Sequence, residues 1–336
     1  METAYQFGRS LEKRGCHVDM SGTRDRSVSK RIPHPRVSVI VPTYNRADEL
    51  RRCLDSLVSQ TIEDFEVVVC DDGSTDNTSK VVNDYASLLD ITYSFAENFG
   101  GPARPRNRGI RLARAAYIAF LDSDDWWTPN KLARSLGCLE TGADVVFHDL
   151  WNVLHLDQNI RRRRIASHQP QVPVFENLLC SASSIPNSSI VVRLSSLQSI
   201  GEICEDKELI AVEDFDMLLR LSKVTEKFVK IPECLGYYWN GGANISGASS
   251  EQIRRTEAVY RRHVPSLNEF SRRRAEALLA YRVGRIAQLQ GDWDAAVPNL
   301  LSAIRGRLGM TYKLKAVWLL SVKRLVASRC RLENIK

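Results

Sequence analysis

From residue 37 to 121 the chain alternates between two hydrophobic periods, one of two residues and one of about three and a half. Val37-Ser38-Val39-Ile40-Val41 is a β-branched run that stops at Pro42, which predicts a strand. Leu50, Leu54, Leu57 and Val58 then recur at helical spacing between Ala47 and Gln60. Glu66-Val67-Val68-Val69-Cys70 predicts a second strand, closed by Asp71-Asp72-Gly73-Ser74. Thr75-Asp76-Asn77 offers capping residues to a helix through Val81, Val82 and Tyr85. Ile91-Thr92-Tyr93-Ser94-Phe95 predicts a third strand, and Asn98-Phe99-Gly100-Gly101-Pro102 turns into a helix from about Ala103 to Ala115. The apolar run from Ala115 to Leu121 predicts a fourth, buried strand.

Repeated β–α units of this length imply a doubly wound α/β domain with a mostly parallel sheet and right-handed crossovers. Polar residues cluster at the C-terminal end of each strand: Thr43-Tyr44-Asn45, Asp71-Asp72, Asn98, and Asp122 to Asp125. Open α/β sheets bind ligands along that edge, so the clusters converge on one site. In Leu121-Asp122-Ser123-Asp124-Asp125-Trp126-Trp127 three carboxylates fall within four positions. Such a group can share a hard divalent cation, and that cation can hold a diphosphate. An isolated Asp-x-Asp is more often a solvated acidic turn, and the elements that precede it here supply the context.

Five linked segments carry a resemblance. They are Ser38 to Arg46, Asp71 to Asp76, Gly100-Gly101-Pro102 with Arg106-Asn107-Arg108-Gly109, Leu121 to Asp125, and Val212-Glu213-Asp214-Phe215-Asp216-Met217-Leu218-Leu219-Arg220-Leu221. In order and spacing the chain resembles glycosyltransferase family 2 over roughly residues 37–245. The resemblance implies the GT-A fold (Rossmann-like), a nucleotide-sugar donor of UDP or dTDP type, a Mn²⁺ or Mg²⁺ ion, and inversion at the anomeric carbon.

Residue by residue, the resemblance implies that Pro42, Thr43 and Tyr44 line the nucleobase pocket, with Tyr44 offering a flat face for stacking. Asp72 accepts a hydrogen bond from the base, Asp122 contacts the ribose and Asp124 binds the metal, with Asp125 as an alternative ligand. Arg106 is a donor-binding candidate near the diphosphate, because a guanidinium matches phosphate geometry. The competing reading makes it one more surface arginine beside Arg104, Arg108, Arg111 and Arg114. Glycosyl transfer with inversion needs a base for the acceptor hydroxyl. The resemblance gives that role to Asp214, at the start of an amphipathic helix with Met217, Leu218 and Leu221. Glu213 and Asp216 are weaker candidates. Ile185-Pro186-Asn187-Ser188-Ser189 belongs to the acceptor side or to a strand entry.

Two family features are missing. Many members carry a His after the Tyr-rich strand, where this chain has Tyr237-Tyr238-Trp239-Asn240-Gly241-Gly242-Ala243-Asn244-Ile245-Ser246. There is also no Gln-x-x-Arg-Trp element, which marks processive polysaccharide synthases, so addition of a single sugar is expected.

Charge divides the chain into three. The net charge of +7 arises in the tails: residues 252–336 hold 18 Lys and Arg against 6 Asp and Glu, whereas residues 37–251 hold 21 against 30. An acidic central domain is a poor nucleic-acid binder. Residues 1–36 read as a disordered basic leader without the apolar core of a signal peptide, residues 37–250 as the GT-A domain, and residues 251–336 as a basic helical extension. Tyr281 to Ile304 resembles part of a tetratricopeptide repeat, which must pack on the domain or on a partner. The last helix, from Leu314 to Val326 with Lys313, Lys315, Lys323, Arg324 and Arg329, suits an anionic membrane surface or packs on the core. The eight cysteines show no ligand spacing and read as free thiols in a reducing compartment. Arg161 to Arg164 reads as an exposed loop, a solvated run with a phosphorylated-acceptor contact as the alternative, and His148-Asp149 as a structural strand end with approach to the acceptor site as the alternative.

The expected function is a metal-dependent inverting glycosyltransferase acting on a glycan or lipid-linked acceptor, in bacterial surface polysaccharide synthesis. It is expected in the cytoplasm, peripheral at the inner face of the membrane. The alternatives are a nucleotidyltransferase, for which residues 42–46 lack the Gly-rich phosphate loop, and a non-catalytic nucleotide-sugar-binding scaffold acting through its helical tail.

Overall fold

The computed structural model describes residues 30–156, 163–181, 184–242 and 247–333, without the side chains of 322–333. The alternation read from the sequence is present as β1 (Val37–Thr43), α1 (Ala47–Val58), β2 (Phe65–Asp71), α2 (Thr78–Asp84), β3 (Ile91–Phe95), α3 (Ala103–Leu112) and β4 (Tyr117–Phe120). These strands lie in the order β3-β2-β1-β4, all parallel, with Thr43 beside Asp71 and Ile40 beside Phe120. Every residue of β1 and β2 is buried. Period-two alternation therefore serves two covered faces. Ile40, Val68, Ile118 and Phe120 fill one side of the sheet. Val39, Val41, Val67 and Val69 fill the other, beneath Leu50, Leu54 and Leu57 of α1.

The helix expected to reach Ala115 ends at Leu112, because Ala113 turns to extended backbone. Arg114 is then pinned: its N–H and its Nε both donate to the buried Glu66 carboxylate at 2.6 Å.

Beyond the Asp cluster the chain adds β5 (Trp126–Trp127), α4 (Lys131–Glu140), β6 (Val145–Val153), β7 (Arg163–Ile165), α5 (Val174–Cys180), β8 (Val191–Arg193), α6 (Leu194–Ser199), α7 (Glu213–Leu221) and β9 (Phe228–Trp239). The sheet continues from β4 through β8, β6 and β9 to β5, with β7 on β6. Strands β6 and β9 run with β1, while β5, β7 and β8 run against them, so the sheet is mostly parallel in direction. The arginine run is not a free loop in its second half. Arg163 and Arg164 lie in β7, and Arg164 pairs with the buried Asp149; Arg161 and Arg162 lie outside the described residues. His148 is interior to β6, fully buried, and burial pulls its pKa down to about 3, consistent with a structural residue.

The extension is four helices: α8 (Ser250–His263), α9 (Glu269–Leu289), α10 (Trp293–Arg305) and α11 (Met310–Glu333). The repeat-like stretch forms a hairpin of α9 and α10, closed where Leu300 packs against Gly284; a Cβ there would come within 2.9 Å of Leu300. Helix α9 also packs on α5 and α8, so the hairpin rests on the α/β domain through α5. Helix α11 buries Ala316 and Leu319 against Leu300 and exposes Met310, Leu314, Val317 and Trp318. Lys323, Arg324 and Arg329 fall where side chains are not described. Among the described residues no helix is long and apolar enough to cross a membrane.

Of the expected leader, residues 1–29 lie outside the described residues. Residues 30–36 are tied to the domain: the Ile32 N–H donates to Asp90 at 2.9 Å, and Arg36 pairs with Asp64 and Glu140. Six described cysteines are free thiols, and Cys16 lies in the undescribed leader.

Candidate active site

The ends of β1 and β2 are laced together before any ligand arrives. Asn45, at φ 49°, accepts from the Thr75 N–H at 2.8 Å, and its own N–H donates to Ser74 Oγ at 2.8 Å. Asp76 receives the Ala47 N–H at 3.0 Å. Gly73 takes φ +90°, and a Cβ there would lie 2.8 Å from the Asn98 nitrogen; only glycine satisfies both conditions. Asp72 Oδ2 accepts from the Phe99 and Gly100 N–H groups at 3.1 and 3.2 Å, which orders the turn into α3. Burial raises its pKa despite those bonds. Tyr44 stands at this rim with nearly half its surface exposed (48%).

The Asp cluster separates into three environments. The Asp122 N–H donates to Ser188 Oγ at 3.1 Å, and its Oδ1 accepts from Asn187 Nδ2 at 3.3 Å. Asn187 therefore holds the carboxylate of Asp122, and Ser188 holds its backbone. Asp124 is ion-paired with Arg46, and its carbonyl accepts from Arg52 Nη2 at 2.8 Å. Arg52 itself lies over the Trp126 and Trp239 rings, 4.3 and 4.9 Å from their centroids, so the loop is clamped to β9. Asp125 is buried and accepts the Trp239 N–H at 2.8 Å, which joins the loop to β9; it does not line the cleft. Burial raises both Asp124 and Asp125, and the neighbouring carboxylates add to it.

Arg106 is not a surface arginine. It is 3% exposed, donates to Asp122 Oδ1 at 2.6 Å and pairs with the buried Glu213. Glu213 is thereby the counter-charge of Arg106, and Asp216 is taken by Arg220 and His263, at 2.8 Å each. Asp214, between these two, is left facing the cleft and partly exposed. Its Oδ1 accepts the adjacent Phe215 N–H at 2.7 Å. Burial and the Glu213 carboxylate raise its pKa to about 7, against the pull of Arg106.

One continuous cleft of about 1540 Å³ joins these groups. Pro42, Thr43, Tyr44, Asp72, Arg106, Asp122, Asp124 and Asp214 all line it, as does Asn240. The sequence reading missed Arg46, His168 beyond β7 and the faces of α9 and α11 that line the cleft, and also Arg52, which holds the Asp124 loop without lining it. His168 is the histidine that lines the cleft, although it follows β7 and not the Tyr-rich strand; Ala243 to Ser246 lie outside the described residues. No group of three or more His, Cys, Asp or Glu among the described residues is arranged to hold a metal by itself. The donors that face the cleft are carboxylate oxygens, suited to a hard cation whose remaining ligands come from water and phosphate.

The sheet order and the carboxylates on its strand ends define a GT-A fold, the architecture of nucleotide-sugar-dependent transferases. Residues 38–201 match the sequence model described as Glycosyl transferase family 2, and that stretch of the chain belongs to the family. Among relatives, the chain is 40% identical over 103 residues to a poly(ribitol-phosphate) beta-glucosyltransferase of Bacillus spizizenii, covering 30% of this chain and 16% of that one. It is 29% identical over 209 residues to the amylovoran biosynthesis glycosyltransferase AmsB of Erwinia amylovora, covering 60% and 68%. The match thus spans less than a quarter of the length of the Bacillus spizizenii relative and about two thirds of AmsB. S. aureus TarS 1-349, solved with UDP-GlcNAc, superposes with a TM-score of 0.59 at 22% identity over 80% of this chain and 81% of that one. The mannosyltransferase PcManGT of Pyrobaculum calidifontis, solved with GDP-Man and Mn²⁺, gives 0.58 at 18% identity over 91% and 84%.

Proposed function

We propose that the protein is a metal-dependent inverting glycosyltransferase that moves one sugar from a nucleotide-sugar donor to a glycan or lipid-linked acceptor in surface polysaccharide synthesis. The observation that carries this reading is Asp214: a cleft-facing carboxyl raised to about 7, in one cavity with Tyr44, Asp72, Asp122 and Asp124. A general base works best when its pKa lies near the operating pH. The named activities of the relatives, among them amylovoran biosynthesis, support the polysaccharide context.

In this reading Tyr44 stacks on the base and Asp72 accepts from its N–H, which favours a uracil or thymine nucleotide. Asp122, fixed by Arg106 and Asn187, receives the ribose hydroxyls. Asp124, now paired with Arg46, is the carboxylate that would hold the cation. The cation, when bound, neutralises charge on the departing diphosphate. Asp214 takes the proton of the acceptor hydroxyl as that oxygen bonds to the anomeric carbon and the bond to diphosphate breaks on the opposite face. Asp125 keeps its anchoring bond to β9 and stays out of the coordination. Residues 37–250 form the catalytic unit. Peripheral attachment to an anionic membrane rests on the exposed Met310, Leu314, Val317 and Trp318 beside Lys313 and Lys315.

The test is a thermal-shift titration with UDP, GDP, dTDP and CDP, each with and without Mn²⁺. A metal-dependent shift with one nucleotide is the expected result. No shift with any of them removes the donor site. Asp214→Asn then separates enzyme from binding scaffold, since only an enzyme loses its turnover while still binding nucleotide.

A further inference from the structure

Charged groups from separate parts of the chain line the cleft. The carboxylates that line it, Asp72, Asp122, Asp124, Glu213 and Asp214, all belong to its floor and donor end. Its far wall is built by the helical extension: Tyr281, Arg282, Arg285, Ile286 and Leu289 of α9, with Tyr312 and Lys315 of α11. The α9 positions fall at i, i+1, i+4, i+5 and i+8, one face of the helix. Tyr281 and Tyr312 pack edge to face with centroids 5.3 Å apart, which locks the two helices together at this wall.

Arg282, Arg285 and Lys315 make no ion pair among the described residues. Arg282 Nη2 donates to the Ser181 carbonyl at 3.4 Å, and its guanidinium lies 5.3 Å from the ring of Phe215, the residue after Asp214. Arg285 donates to the side-chain oxygen of Gln288. Like charges three residues apart on a helix repel. Among the described residues no carboxylate on the wall offsets that repulsion, and a bound anion would. Guanidinium groups are the residues of choice for phosphate.

We propose that Arg282, Arg285 and Lys315 form an acceptor subsite for a phosphate group, so that the acceptor carries phosphate and its hydroxyl is presented to Asp214. This rests on the glycosyltransferase reading and assigns its acceptor class. The phosphate belongs either to the diphosphate of a lipid carrier or to a phosphodiester of a polyol-phosphate chain; the chemistry of the wall is the same for both.

The experiment is calorimetric titration of the full chain with geranyl diphosphate and with a glycerol-phosphate oligomer, with and without saturating nucleotide and Mn²⁺. One of the two binds with the nucleotide site filled, and its identity names the source of the phosphate. Arg285→Ala combined with Lys315→Ala weakens that binding tenfold or more, whereas Arg285→Lys stays within a few-fold and nucleotide binding is unchanged in all variants. Failure of both probes to bind beside the nucleotide, or equal binding by the double variant, overturns the subsite and leaves the donor reading standing. Binding of a probe that depends on Arg285 in a protein that binds no nucleotide has the opposite meaning: the wall stands and the donor reading falls.

Discussion

The Arg106 guanidinium couples two loops that lie far apart in sequence: it donates to Asp122 at 2.6 Å and pairs with Glu213, the neighbour of the proposed base. The carboxylates on either side outweigh the cost of its burial and hold its pKa above the ordinary value. Arg106→Ala leaves Glu213 buried without a counter-charge, and loss of one partner from a buried pair costs about 3–5 kcal/mol. Urea denaturation measures it. A loss below about 1 kcal/mol would show that Glu213 simply takes up a proton.

Asp214→Asn is expected to lower turnover by about 10²–10⁴-fold, the usual contribution of a general base. In the wild type, kcat/KM rises with pH and levels off above about 7, because only the ionised carboxyl accepts a proton. A profile flat from pH 5.5 to 8 would argue that another group takes the proton.

The same residue predicts a stability effect of definite sign. A carboxyl whose folded pKa exceeds the unfolded value binds more protons in the native state. Stability therefore falls as pH rises from about 4, the unfolded value, toward about 7. Asp214→Asn should raise the melting temperature at pH 8 and matter little at pH 4.

Tyr44→Ala should weaken nucleotide binding by about 1–3 kcal/mol, the range for loss of a base–aromatic stack, with folding unchanged because the ring is half exposed. Isothermal titration with the nucleotide found by thermal shift reads the difference. Tyr44→Phe should bind as the wild type does.

Gly109→Ala tests the packing of α3 on the sheet. The added Cβ would lie 2.5 Å from Ile40 Cγ2 and 3.0 Å from Cys70 Sγ. Overpacking of a tight core costs about 1–3 kcal/mol. Differential scanning calorimetry should show a lower melting temperature, and an unchanged value would mean that α3 can lift off β1 freely.

What the sequence made legible were the elements and residues fixed by local pattern. Strands β1, β2 and β3 stand out because β-branched runs end at Pro42, Asp71 and the turn after Phe95, and Tyr44, Asp72, Asp122 and Asp124 follow such runs directly. Arg106 was ambiguous because four arginines share its helix; its burial depends on Glu213, 107 positions away. Arg52 lies in a polar stretch of α1, and only its place over Trp126 and Trp239 reveals the clamp. Asp125 was indistinguishable from Asp124 by position; its bond to β9 tells them apart. The wall from α9 and α11 was invisible because helical periodicity does not say which basic residues face a cavity formed by another part of the chain.

That wall lies beyond residue 201, outside the stretch that matches the family. The strand-end loops and this wall therefore come from different stretches of the chain. A crossover near the start of α8 would exchange the wall and leave the strand-end loops intact. Under the acceptor-subsite proposal, descendants of such an exchange would keep the donor and change the acceptor, a route to altered linkages that needs no change at Asp122, Asp124 or Asp214.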